Sequence, residues 1–312
     1  MFKIAAKTPT SALVLTILFF PVLLPLKALA DSFDQFFIFG DSLSDNGNLY
    51  RITRGYFPPQ PYYRGRASNG IVWVEILGQK LKINNDKIKN FAVIGSTTTN
   101  RNAIDEKTSY LIPSLPSQVK DFTASPNQPS SQAIFVLWAG ANDYLAQPQN
   151  LRATDTQFVV NNISNAAQIL IDRGARNLII PNLPDLGKIP QEIALGTSNI
   201  STERSNSHNA NLRLAVQILS EKNPHVKIIL LDIHSLFQDV INQPVKYGFI
   251  NVTQPCFNRR IFTVCSNPED YLFWDDIHPT AHGHRMLAEY AQSVVSETAI
   301  QQWEIIYNKQ SK

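Results

Sequence analysis

Five short apolar runs, at 36–39, 89–93, 134–138, 178–180 and 226–231, are continuous rather than alternating, and stretches with helical spacing at 69–81, 156–173 and 202–222 lie between them. A strand with one wet face alternates apolar and polar residues, whereas a strand covered on both faces does not. Parallel strands also need long crossovers, and the helical stretches are long enough to supply them. Near the end, Met286, Leu287, Tyr290, Ala291, Val294 and Val295 recur with helical spacing, which marks a terminal helix with one apolar face. The pattern predicts one doubly wound α/β domain without internal repeats. The segment 53–66 is rich in Pro and aromatics and reads as a long surface loop.

The 312-residue chain is 44% hydrophobic and 17% charged, which excludes disorder and leaves ample material for a core. Its 28 Lys and Arg outnumber 25 Asp and Glu, but Lys3, Lys7 and Lys27 lie in the first thirty residues, which hold no acid. The remainder balances at 25 against 25, so no positive field for nucleic acid is expected. Lys3 and Lys7 precede an apolar run from Ala12 to Leu26, and Ala28, Leu29 and Ala30 have the small-x-small form of a cleavage site. Residues 1–30 therefore read as a signal peptide, with 31–312 as the mature domain, secreted or periplasmic. In an exported protein the close pair Cys256 and Cys265 reads as a disulfide. His278, His282 and His284 cluster, but the position of His278 relative to Asp275 gives it another use, so no metal site is expected.

In an open parallel sheet, ligands bind beyond the carboxyl ends of the strands. After the first run come Gly40, Asp41 and Ser42, after the second Gly95 and Ser96, after the third Gly140, Ala141, Asn142 and Asp143, and before the last helix Asp275, Asp276, Ile277, His278 and Pro279. This is the inventory of a serine hydrolase. Ser42 is expected where a strand turns into a helix, as nucleophile or as a simple helix cap. His278 is the candidate base, held on a stiff loop by Pro279. Asp275, three residues earlier, is favoured over Asp276 as its orienting carboxylate. The backbone N–H groups of Ser42 and Gly95 and the amide of Asn142 are candidate oxyanion donors. Asp143 reads as a structural acceptor, and His282 and His284 as packing or surface residues. Tyr56, Phe57, Tyr62, Tyr63 and Trp73 lie near Ser42 in sequence and suit an acyl chain, a sugar ring, or plain core packing.

Together these pieces resemble the GDSL, or SGNH, serine esterases and lipases. Residues 39–45 resemble the nucleophile block, 90–95 the second block, 140–143 the G-x-N-D block, and Asp275 with His278 the D-x-x-H block. Ile94 departs from the pattern, since many members have a glycine there, while Gly95 matches the glycine whose N–H joins the family's oxyanion hole. The resemblance implies a flavodoxin-like three-layer α/β/α sandwich and hydrolysis through an acyl-enzyme without cofactor. Residues 63–70 and 265–275 resemble most the branch of secreted phospholipases, lecithinases and haemolysins. The implied substrate is a small-molecule or lipid ester, with transient membrane-surface contact in the lipid case. Carbohydrate O-acetyl esterases and thioesterases share the scaffold, as do non-catalytic binders.

Overall fold

The computed structural model describes residues 33–105, 110–126, 128–145 and 155–310, without the side chains of 297–310, so the expected signal segment 1–30 lies outside the described residues. Strands β1 (Gln35–Gly40), β2 (Ile88–Asn90), β3 (Ala133–Trp138), β4 (Asn177–Pro181) and β5 (Lys227–Leu231) form a sheet in the order β2-β1-β3-β4-β5. Every neighbouring pair is parallel. The five apolar runs are thus the five strands. The second ends at Asn90, although the chain still follows β1, with the Phe91 N–H bonded to the Ile38 carbonyl at 2.8 Å and the Val93 N–H to the Gly40 carbonyl at 3.1 Å.

The helices are α1 (Asn48–Ile52), α2 (Trp73–Lys80), α3 (Leu115–Thr123), α4 (Ala141–Leu145), α5 (Thr156–Asp172), α6 (Pro190–Leu195), α7 (Ser198–Lys222), α8 (Ile233–Asn242) and α9 (Ala281–Gln310). On one face, Phe39, Phe135, Leu137, Leu178 and Ile180 pack with buried residues of α3, α5 and α7. On the other, Phe36, Ile38, Ile134, Val136 and Ile179 pack with α2, α9 and the start of α8. Odd and even positions of one strand therefore enter different cores, which is why the runs are continuous. Burying a side chain such as Phe135 contributes roughly 2–3 kcal/mol.

Helix limits follow local hydrogen bonding. α2 begins at Trp73, four residues later than expected, because Asn69 instead accepts from the Ala281 N–H at 2.7 Å and so caps α9. α7 begins at Ser198, four residues early, with its first turn tied to Glu192 through Thr197 and Ser201. Beyond the main sheet, β6 (Asn251–Pro255) pairs with β9 (Tyr271–Phe273). Between them β7 (Phe257–Asn258) and β8 (Thr263–Val264) form an antiparallel hairpin closed by the Cys256–Cys265 disulfide.

The strand order places the topological switch between β1 and β3. Chain connections leave these two strands in opposite directions, so their carboxyl ends border a crevice. The loops emptying into it carry Ser42 and Asn142.

Candidate active site

Gly40 ends β1 at φ +147°, and a Cβ there would lie 2.1 Å from the Trp138 carbonyl oxygen, so only glycine lets β1 lie this close to β3. Ser42 follows in a single turn, closed by N–H bonds from Ser44 and Asp45 to the Asp41 carbonyl. The expected strand-to-helix junction is corrected here: α1 starts only at Asn48, so Ser42 caps no helix and its environment comes from the turn.

Asp45 occupies this turn and was not singled out from sequence. Its buried carboxylate accepts from Gly47, Asn48 and Leu49, and from the Ile94 N–H at 2.9 Å. It thereby fixes the Ser42 turn against the residue that precedes Gly95. Gln118 does similar work from α3, bonding both the N–H and the carbonyl of Gly40 at 2.8 Å and Ser96 Oγ at 3.0 Å.

Across the crevice, Ser42 Oγ lies 2.8 Å from His278 Nε2, and His278 Nδ1 lies 2.9 Å from both oxygens of Asp275. The structure thus brings together three side chains that span most of the sequence. Asp275 also accepts from the N–H groups of Ile277 (2.9 Å) and His278 (2.7 Å). The Tyr62 hydroxyl donates to its Oδ2 at 2.6 Å. Burial by itself would raise the Asp275 carboxyl, but the charge of His278 and these hydrogen bonds hold it well below the usual carboxylate range. His278 Nδ1 pairs with Asp275 and not with Asp276, whose backbone carbonyl accepts from the Gln191 N–H. Burial pushes Asp41, beside Ser42, up to about 6, against the Leu43 N–H and the nearby His278, which favour its ionised form.

Asn142 lies in the first turn of α4 rather than in an open turn. Its Nδ2 donates to the Ser96 carbonyl at 3.0 Å, which orients the amide and leaves its second N–H available. Gly95 takes φ +79°, and among the described residues neither its N–H nor that of Ser42 meets a protein acceptor. Asp143 accepts from the Thr98 N–H and hydroxyl and pins α4 to the loop after Gly95. His282 bonds the Glu269 carbonyl and packs on Phe249, while His284 is buried and accepts from the Trp73 N–H. Burial pushes His284 down to about 3, so it stays neutral.

Ser42, Asn142 and His278 open onto a cavity of about 90 Å³ whose walls include Leu43, Leu145, Ile233, Phe237 and Met286. The described lining contains none of Tyr56, Phe57, Tyr62, Tyr63 and Trp73. Of the uses open to those aromatics, packing holds for two: Trp73 is fully buried in the core, and Tyr62 packs with Cys256, Phe257 and Trp274. The cavity instead forms where α8, α9 and the segment before α6 meet, and no local motif announces that meeting.

Residues 36–291 match the family described as GDSL-like Lipase/Acylhydrolase. The chain is 29% identical over 329 residues to the phosphatidylcholine-sterol acyltransferase of Aeromonas hydrophila, covering 88% of this chain and 96% of that protein. It is 28% identical over 279 residues to the thermolabile hemolysin of Vibrio parahaemolyticus, covering 83% of this chain and 63% of that protein. Among solved structures, a member of the lipolytic protein G-D-S-L family from Veillonella parvula is similar at a TM-score of 0.49 and 16% identity, covering 83% of this chain and 97% of that one.

Proposed function

The chain belongs to the GDSL-like lipase/acylhydrolase family of carboxylic ester hydrolases, and from that premise we propose that it cleaves lipid acyl esters through an acyl-enzyme on Ser42. The observation that carries this reading is the unbroken hydrogen-bond chain from Asp275 through His278 to Ser42, opening on an apolar cavity. Ser42 Oγ attacks the ester carbonyl as its proton passes to His278 Nε2, and Asp275 stabilises the imidazolium. The developing oxyanion is taken by the N–H groups of Ser42 and Gly95 and the free N–H of Asn142. Collapse breaks the carbon–oxygen bond, and the departing alcohol takes the proton from His278. Water then repeats the attack, releases the acid and restores Ser42.

An acyl chain suits the cavity better than a sugar does. A buried hydroxyl needs a partner, and walls of Leu, Ile, Phe and Met offer few. The name of the Aeromonas relative, a phosphatidylcholine-sterol acyltransferase, fits a lipid ester as well. We further propose that 31–312 acts as one exported domain after cleavage behind Ala30, which the Cys256–Cys265 disulfide supports.

Reaction with an active-site serine phosphonate tests the mechanism: the wild type should be labelled at Ser42, and folded Ser42→Ala should lose both labelling and turnover. Retained turnover in that variant would exclude this nucleophile. A panel of acyl-glycerol, phospholipid and acetyl-xylose esters tests the substrate, with the sugar ester expected last.

A further inference from the structure

The disulfide-closed hairpin ends in a tip of unusual composition. Arg259, Arg260, Ile261 and Phe262 are all exposed, Ile261 at 67% and Phe262 at 68% of their surface. A hairpin turn ordinarily carries Gly, Asn, Asp or Ser. Here Phe262 takes φ +54°, a left-handed conformation that glycine adopts freely and a side chain with a Cβ adopts at a cost. The chain thus holds a large apolar side chain where backbone sterics favour none. The ring is not loose: it packs edge-on against Phe257 with centroids 5.4 Å apart. Neither arginine has an ion-pair partner among the described residues.

The tip flanks the site. Phe257 donates its N–H to the Trp274 carbonyl at 2.6 Å and stacks on the Trp274 ring, one residue before Asp275. Arg259 and Arg260 lie close enough to Asp276 for their charges to act on it. On the other side of Asp276, its carbonyl is held by Gln191 of α6, which exposes Ile193 and Leu195. The chain at 274–276 is thus bonded to both the hairpin and α6, and each of these elements exposes large apolar side chains.

We propose that the hairpin tip 259–262 docks the enzyme on an anionic lipid surface. Ile261 and Phe262 enter the acyl boundary while Arg259 and Arg260 engage phosphate headgroups, whose oxygens match the guanidinium fork. Docking there brings the mouth of the Ser42 cavity to the lipid. The proposal deepens the lipid-ester reading and rests on it for its purpose, whereas its test reads adsorption directly.

Co-sedimentation of the intact enzyme with phosphatidylcholine vesicles, with and without phosphatidylglycerol, provides that test. The wild type should partition more strongly onto the anionic vesicles. Replacing both arginines, Arg259→Gln with Arg260→Gln, should weaken that partitioning by about fivefold per charge at low salt. Ile261→Ser with Phe262→Ser should weaken binding to both vesicle types by roughly tenfold or more. Both variants should turn over a short, water-soluble acyl ester like the wild type. Unchanged partitioning in both variants, or no anionic preference in the wild type, would overturn the proposal. Loss of soluble-ester turnover in both would overturn it too, by assigning the tip side chains themselves, and not only the bonded base of the hairpin, to support of the site. If the wild type adsorbs with these dependences yet cleaves no ester, docking stands and the ester-hydrolase reading fails.

Discussion

Tyr62→Phe removes one oxygen atom and tests how Asp275 is tuned. The Tyr62 hydroxyl donates to Asp275 Oδ2 at 2.6 Å inside an apolar cluster, and phenylalanine keeps the ring packing against Phe257 and Trp274. A hydrogen bond to an ionised carboxylate contributes roughly 1.5–3 kcal/mol, so the melting temperature should fall by roughly 3–10 °C at pH 7. Because Asp275 is depressed by its partners, the stability they confer is present above the unfolded carboxylate value near 3.8 and is lost as pH falls through the lower folded value. The deficit of the variant should therefore be full at pH 7 and narrow below about pH 4. The same change has a kinetic signature. With one donor gone, more of the Asp275 charge faces His278 Nδ1 and favours the imidazolium. The acidic limb of kcat/KM should therefore move toward higher pH in the variant. Calorimetry and a pH–rate profile on a soluble ester read both effects. A lower melting temperature with an unmoved limb would reduce Tyr62 to packing, and a limb moved to lower pH would refute the electrostatic reasoning.

Other outcomes follow from the same geometry. Asn142→Ala should lower kcat by about 100- to 1000-fold with little change in KM, and an effect confined to KM would place Asn142 in substrate binding. Cys265→Ser should cost about 2.7 kcal/mol by loop-closure entropy and lower kcat where the protein is still folded, since the hairpin it closes is bonded to Phe273 and Trp274; calorimetry and unchanged kcat would separate a purely structural bridge. Met286→Trp should fill part of the cavity and cut kcat/KM for long-chain esters by roughly tenfold or more while sparing acetyl esters, and equal losses at every chain length would show that the chain lies elsewhere.

The strands and the residues proposed to react leave local traces in the sequence. A parallel strand buried on two faces is an uninterrupted apolar run, and the switch between β1 and β3 confines Ser42 and Asn142 to the residues just after two such runs. Asp275 and His278 are three apart, so their pairing also leaves a local trace. The supporting contacts leave none. Tyr62 and Asp275 are separated by 213 residues, and Tyr62 sits in the segment that reads as a surface loop from its prolines and aromatics. α3 was missed because Pro113 and Pro116 flank its first core-facing residue, Leu115, and α8 because only its N-cap, Asp232, separates it from β5. With α8 hidden, the wall of the cavity was hidden too, and the aromatics near Ser42 in sequence stayed open between substrate binding and packing, the use that Tyr62 and Trp73 take. The division has a physical basis. Chemistry needs a few atoms at fixed positions, which strand ends supply in short motifs, whereas a binding wall needs only apolar volume from whichever elements meet there. The cavity wall should therefore tolerate volume-conserving changes at Leu145, Phe237 and Met286 that the turn around Ser42, fixed by Gly40 and Asp45, does not.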